Sequence, residues 1–193
     1  MKPLNYLCAL CLTLSLVPAL AAEKVGKTEG APVQPVPAIE VARYAGTWYE
    51  IARLPNRFQK DCVRDVKATY TVQAGGSLQV ENTCMTASDK LQRAVGVARK
   101  ASAEGPNSKL KVRFAPQWLS WVPLVWGDYW VLELDPDYRH VVVGTPDMQY
   151  LWILSRRPVL DQQVYEMLIE KARAQGFDVD RLYRTQHKST VAD

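Results

Sequence analysis

Histidine is almost missing from this chain: among 193 residues only His140 and His187 occur. General acid–base chemistry at neutral pH therefore has little to work with. His140 opens a strand beside Arg139, His187 stands in a polar tail, and no His/Cys/Asp cluster has metal-ligand spacing. A glycine-rich phosphate loop and a nucleophile elbow are also absent. The formal charge is +4, and no basic run is dense enough to imply nucleic acid as a partner. Beyond the first residues no apolar run is long enough to span a bilayer. The expectation is no catalytic residue, no cofactor and no metal.

What is present begins with a leader. Lys2 gives a positive start, Leu4 to Val17 is nearly all apolar, and Pro18-Ala19-Leu20-Ala21 ends in a small-x-small site. That order reads as a secretory signal peptide over 1–21 and implies export to an oxidising compartment. Residues 22–38 are polar and hold Pro32, Pro35 and Pro37, so they read as a disordered spacer. A single domain follows over 39–185, with a tail over 186–193; about 155 residues from Ile39 on are enough for a real core. Cys8 and Cys11 leave with the leader. Leu10, before Cys11, is not the small residue that lipid attachment requires. Cys62 and Cys84 remain. Two cysteines in an exported domain most often pair, and the other reading is a reactive thiol with Arg64 near Cys62.

From Tyr44 to Arg156 short alternating segments are separated by turn residues. They read as strands near 46–54, 64–73, 78–84, 93–100, 109–115, 128–135, 138–144 and 150–156. Eight strands in sequence suit an all-β, eight-stranded antiparallel up-and-down β-barrel, closed so that no sheet edge remains. Alternation assigns the inner face. Leu110, Val112 and Phe114 alternate with lysine and arginine, Trp130, Leu132 and Leu134 share a face, and so do Val66, Ala68, Tyr70 and Val72. Leu78, Val80, Asn82 and Cys84 share another. Pairing Val72 with Val80 across Gly75-Gly76-Ser77 keeps both sets inside, and Cys62 then reaches Cys84 only if the chain before the second strand folds back over the sheet. After Pro158, Leu160, Val164, Leu168 and Ala172 recur at four-residue steps before Gly176. That is one C-terminal α-helix packed outside the barrel, and Phe177 to Tyr183 reads as a further short strand.

Val41-Ala42-Arg43-Tyr44-Ala45-Gly46-Thr47-Trp48-Tyr49-Glu50-Ile51 resembles the first lipocalin signature. Asp137 to His140, with Tyr150-Leu151-Trp152-Ile153-Leu154-Ser155-Arg156 ahead of a helix, is similar to the second and third. The wording is most similar to bacterial lipocalins and apolipoprotein D. The resemblance implies that Trp48 packs across the closed end of the barrel with Arg156 over it, a plug in which a guanidinium stacks on an indole and Gly46 lets the chain bend beside the ring.

The resemblance also implies the function: a lipophilic ligand, of the fatty acid or lysophospholipid class, held in the barrel and carried or stored in the periplasm, with possible outer-membrane association. The expected lining is Ala68, Tyr70, Val80, Asn82, Val112, Phe114, Trp130, Leu132, Tyr150 and Trp152. Glu50 shares the inward face with Trp48 and either pairs with an arginine or orients a ligand head. Trp118, Trp121 and Trp126, between the fifth and sixth strands, form either a lip that touches membrane or a loop packed on itself. Two other functions stand beside the carrier: a cysteine-dependent lipid-modifying enzyme, and a filled barrel acting through surface contacts.

Overall fold

The computed structural model of the chain describes residues 32–188; the expected leader and the first part of the spacer lie outside the described residues. Eight strands follow in order: β1 Gly46–Arg53, β2 Cys62–Val72, β3 Leu78–Thr86, β4 Leu91–Lys100, β5 Lys109–Arg113, β6 Gly127–Leu134, β7 His140–Gly144 and β8 Leu151–Ser155. Each pairs antiparallel with the next, and β1 pairs with both β2 and β8, so the ring closes. A one-turn helix α1, Val41–Tyr44, precedes β1, and a longer helix α2, Gln162–Ala174, follows β8. The short α1 has no counterpart in the sequence periodicity.

α2 is helical for local reasons. Asp161 caps its start, its carboxylate accepting from the Gln163 and Val164 amides, and Gly176 takes a positive φ of 92° to end it. Its buried face, Tyr165, Leu168 and Ala172, packs on outward residues of β1, β6, β7 and β8, including Ile51, Leu132, Val142, Leu151 and Ile153. The strands under α2 are therefore apolar on both faces. The barrel interior forms a separate cluster built on Trp48, Tyr44, Tyr70, Val80, Tyr129, Val131 and Leu154.

Three corrections follow from register. Val72 pairs with Leu78, not Val80, and Tyr70 with Val80, because Gln73 to Ser77 forms the turn, the Gln73 amide donating to Ser77 O at 2.8 Å. A shift of two residues preserves every face, so alternation could not detect it. Secondly, β2 starts at Cys62 and carries irregularities between Cys62 and Arg64 and between Arg64 and Lys67, with Asp65 at φ 54°. These bring Cys62 opposite Thr86, two residues from Cys84, and the disulfide forms inside the β2–β3 hairpin with Cα atoms 5.5 Å apart. No fold-back over the sheet is needed. Thirdly, Pro32 to Ala38 is bound to the barrel rather than free: Val33 is buried, and the Val36 amide donates to Val131 O at 2.8 Å.

The C-terminal residues are bound as well. β1 stays in register with β2 only from Gly46 to Tyr49. Beyond that point β9, Tyr183–Arg184, pairs with Ala52 and Arg53, Thr185 N donates to Ile51 O, and Asp65 N donates to Gln186 O. The tail thus occupies the seam that β2 leaves.

Breaking the Cys62–Cys84 bond frees a loop of 22-residue separation. Reduction is expected to lower stability by about 3 kcal/mol, read as a lower urea midpoint with dithiothreitol than without. An unchanged midpoint would show that the two bulges hold this hairpin end unaided.

Candidate functional site

The floor of the barrel is aromatic. Trp48 is fully buried, its ring 5.3 Å from Tyr44, and its indole N–H donates to Tyr44 O at 2.8 Å. Arg156 lies over the Trp48 ring with its guanidinium carbon 3.8 Å from the centroid. The guanidinium donates to the carbonyls of Arg43, Tyr44, Ala45, Thr47 and Tyr138. Gly46 passes beneath at φ 94°, where an added Cβ would stand 3.3 Å from Arg156 Nη1. Trp48, Arg156 and Gly46 thus pack together, the indole in contact with the guanidinium and the glycine beside it.

Above the plug three tyrosine hydroxyls meet: Tyr44 and Tyr129 at 2.6 Å, Tyr70 and Tyr129 at 2.8 Å. Burial pushes the Tyr70 phenol up to about 12, against a smaller opposing pull from its bond to Tyr129 and the Arg156 charge. Burial raises Tyr44 and Tyr129 as well, so all three remain protonated at neutral pH. Tyr129 is the residue that alternation missed. Pairing of Leu110 with Tyr129 turns Tyr129 and Val131 inward. Trp130 and Leu132, expected in the lining, therefore point outward into the cluster under α2, and Trp130 also takes the Lys109 ammonium over its ring. Both faces of β6 are apolar, so the pattern held no preference. A register shift between Val131 and Glu133 returns Leu134 to the inner cluster and aims Glu133 at Lys171 of α2.

Ala68, Tyr70, Val80, Val112 and Trp152 join the inner cluster. Asn82 pairs with Ala68, and its side-chain carbonyl is buried with no hydrogen-bond partner. Phe114, just past β5, is 43% exposed. Near the mouth Tyr150 stacks on Trp152 at 5.9 Å, and Phe58 lies 5.6 Å from Tyr150.

One wall is polar and locked. A register shift between Glu50 and Ala52 puts Arg53 on the inward face beside Glu50 and sends Ala52 out under α2. Glu50 Oε1 accepts from Arg53 and from Thr185 Oγ1, both at 2.5 Å, and Oε2 accepts from Gln59 Nε2 at 2.6 Å. Gln59 Oε1 in turn accepts from the Trp152 indole, and Arg53 donates to Cys62 O. Glu50 is therefore committed to Arg53, Thr185 and Gln59.

The loop between β5 and β6 divides its tryptophans. Trp118 and Trp121 are 73% and 79% exposed, and Leu124 is 93% exposed. Trp126 does not belong to this exposed set: its indole N–H donates to Ser120 O, and Arg99 and Arg113 cover its ring. It anchors two 3-10 turns that display the other side chains.

The disulfide leaves neither Cys62 nor Cys84 as a thiol. His140 faces Asp135 at 3.7 Å across the β6–β7 turn, and burial pushes its pKa down. Among the described residues no three His, Cys, Asp or Glu side chains converge to hold a metal. An external cleft of about 350 Å³ lies at the seam, walled by outward Tyr49 and Lys67 with Met85, Leu91 and His187, and is separate from the lumen.

A model of the lipocalin-like domain matches residues 39–187. Temperature-induced lipocalin-1 of Arabidopsis thaliana is 42% identical over 164 residues, covering 84% of this chain and 87% of that protein. Outer membrane lipoprotein Blc of Escherichia coli strain K12 is 36% identical over 148 residues, 76% of this chain and 78% of that one. The solved structure of insecticyanin from the tobacco hornworm Manduca sexta superposes with a TM-score of 0.61 at 19% identity, covering 83% and 92% of the two chains.

Proposed function

The chain belongs to the lipocalin family, whose members bind small hydrophobic ligands, and on that premise we propose that this barrel carries or stores a lipid-like molecule in the cell envelope without chemically changing it. One observation carries the reading. Inward positions of β2 to β5 are incompletely covered: Ala68, Asn82, Gly96 and Val112 are half-buried, and Ala94 and Phe114 are exposed. A barrel filled by its own side chains would bury these as fully as Trp48 and Val131. The unfilled half lies opposite the strands packed under α2, and its small Ala68 and Ala94 leave room for a chain, whereas the Phe114 ring already covers Gly96. Burying roughly ten methylenes at about 0.8 kcal/mol each gives a gross gain of about 8 kcal/mol, so micromolar affinity is near the ceiling before ordering costs.

The location follows the same relatives. Blc is named an outer membrane lipoprotein, and the apolar leader of this chain has the order of an export signal. Periplasmic work near the outer membrane fits both. Native mass spectrometry before and after organic extraction tests the carrier reading: a lipid mass that leaves and rebinds supports it, and a protein that never carries or takes up lipid overturns it.

The exposed Trp118, Trp121 and Leu124 display indole and leucine to solvent, and Phe58, against Tyr150, is itself 62% exposed. Tryptophan favours the membrane interface, and this rim lets the barrel touch a bilayer while lipid passes. Trp118→Ser with Trp121→Ser should weaken liposome binding by about tenfold, since each indole removes a large apolar contact. Unchanged liposome binding and lipid uptake would end the idea.

A further inference from the structure

Resting on the carrier reading, we propose that the lumen selects a ligand whose buried end is uncharged and bears a hydroxyl, such as a long-chain alcohol or a monoacylglycerol, over an ionised fatty acid inserted head first.

Proton counting comes first. Tyr44, Tyr129 and Tyr70 hold three hydroxyl protons and share two hydrogen bonds. A chain of three hydroxyls uses two protons internally and leaves one at an end. No other acceptor for these hydroxyls occurs among the described residues, so the floor offers a donor to whatever fills the lumen. An independent observation supplies the opposite half. Asn82 Oδ1 is buried without a donor, one inward step along β3 from Val80, the partner of Tyr70. A buried carbonyl and a buried hydroxyl proton, both unpaired, are each unfavourable until a ligand satisfies them. A hydroxyl is the simplest group that both accepts and donates.

Charge decides against a carboxylate. The inward positions of β3 from Leu78 to Cys84 and of β4 from Gln92 to Ala98 carry no ionisable side chain apart from disulfide-bonded Cys84. Arg53 and Arg156 border the interior, and both are committed. Arg53 is bound to Glu50 and Cys62 O, and Arg156 sits behind Trp48 on five carbonyls. An anion at the floor would meet one hydroxyl donor and no free cation, a poor exchange for its hydration. The same anion can still bind with its head at the mouth and its tail at the floor, but the floor hydroxyls then gain nothing from it.

The test uses the full chain stripped of lipid, with displacement of a fluorescent apolar probe by dodecane, 1-dodecanol and dodecanoate at pH 7.5. In the wild type, dodecanol is expected to bind more tightly than dodecanoate. The triple variant Tyr44→Phe/Tyr70→Phe/Tyr129→Phe, which removes every floor hydroxyl and no ring, and separately Asn82→Leu, which removes the unpaired carbonyl, should each weaken dodecanol about tenfold while leaving dodecane within about twofold, a tenfold change being one lost hydrogen bond of ordinary strength. Dodecane binding doubles as the check that each variant keeps its lumen. Dodecanoate binding more tightly than dodecanol, or dodecanol unaffected in both variants, would overturn the proposal and leave the carrier intact. Failure of the wild type to take up the probe or any of the three ligands would instead overturn the carrier reading, and this proposal with it.

Discussion

Trp48→Ala is expected to lower the stability of the barrel by about 3–5 kcal/mol, the range for deleting a large buried aromatic side chain. In a domain of this size that is a fall in Tm of roughly 10 °C or more. Three losses add. The indole is wholly buried, so its removal leaves a void at the closed end. Its N–H bond to Tyr44 O disappears. The Arg156 guanidinium also loses the ring it lies on at 3.8 Å and faces a cavity instead. Trp48→Phe keeps a ring under the guanidinium and should cost less, about 1–3 kcal/mol for the lost indole hydrogen bond and smaller volume, since Arg156 still donates to Tyr44 O. A double-mutant cycle with Arg156→Met separates the cation–π part from the cavity part. If Trp48→Ala melts within about 2 °C of the wild type, Trp48 does not form the floor.

The strand order and the single C-terminal helix were legible because turn residues punctuate the chain and because Pro158 and Gly176 bracket a four-residue repeat. Each misplacement has one cause. Period-2 alternation assumes an unbroken pleat, and a bulge inverts it without a mark in the sequence. The irregularity after Glu50 put Arg53 inside and Ala52 outside, and those before Lys67 brought Cys62 within reach of Cys84. On β6 both faces are apolar because one faces the lumen and the other lies under α2, so Tyr129 and Trp130 were exchanged. The plug was legible only through the resemblance. The tyrosine triad was not legible at all, since Tyr44, Tyr70 and Tyr129 sit on separate elements and only the closed barrel brings their hydroxyls together. The bound tail was missed for a related reason. Polar residues such as Thr185 and Gln186 read as solvent-facing unless the seam they fill is known.

That seam gives the second large effect. Arg53→Met is expected to destabilise the protein by about 3–5 kcal/mol, because it leaves a buried carboxylate without its counter-charge. The side chains of Arg53 and Glu50 are 7% and 3% exposed, so water cannot replace the lost partner. Removing the arginine also releases Cys62 O and weakens the hold on Thr185, so the tail over the β1–β2 seam should loosen along with the loop carrying Gln59. Pairing the change with Glu50→Gln removes the stranded charge while an amide can still bond Gln59 and Thr185. The double variant should therefore recover at least about half of the loss, the asymmetry expected when a buried charge rather than a missing contact causes the damage. Urea midpoints of the wild type and the two variants measure the energies, and hydrogen exchange at the Thr185 and Asp65 amides reports the tail. An Arg53→Met protein as stable as the double variant would show that Glu50 finds another partner and that the inward ion pair does not hold this side of the mouth together.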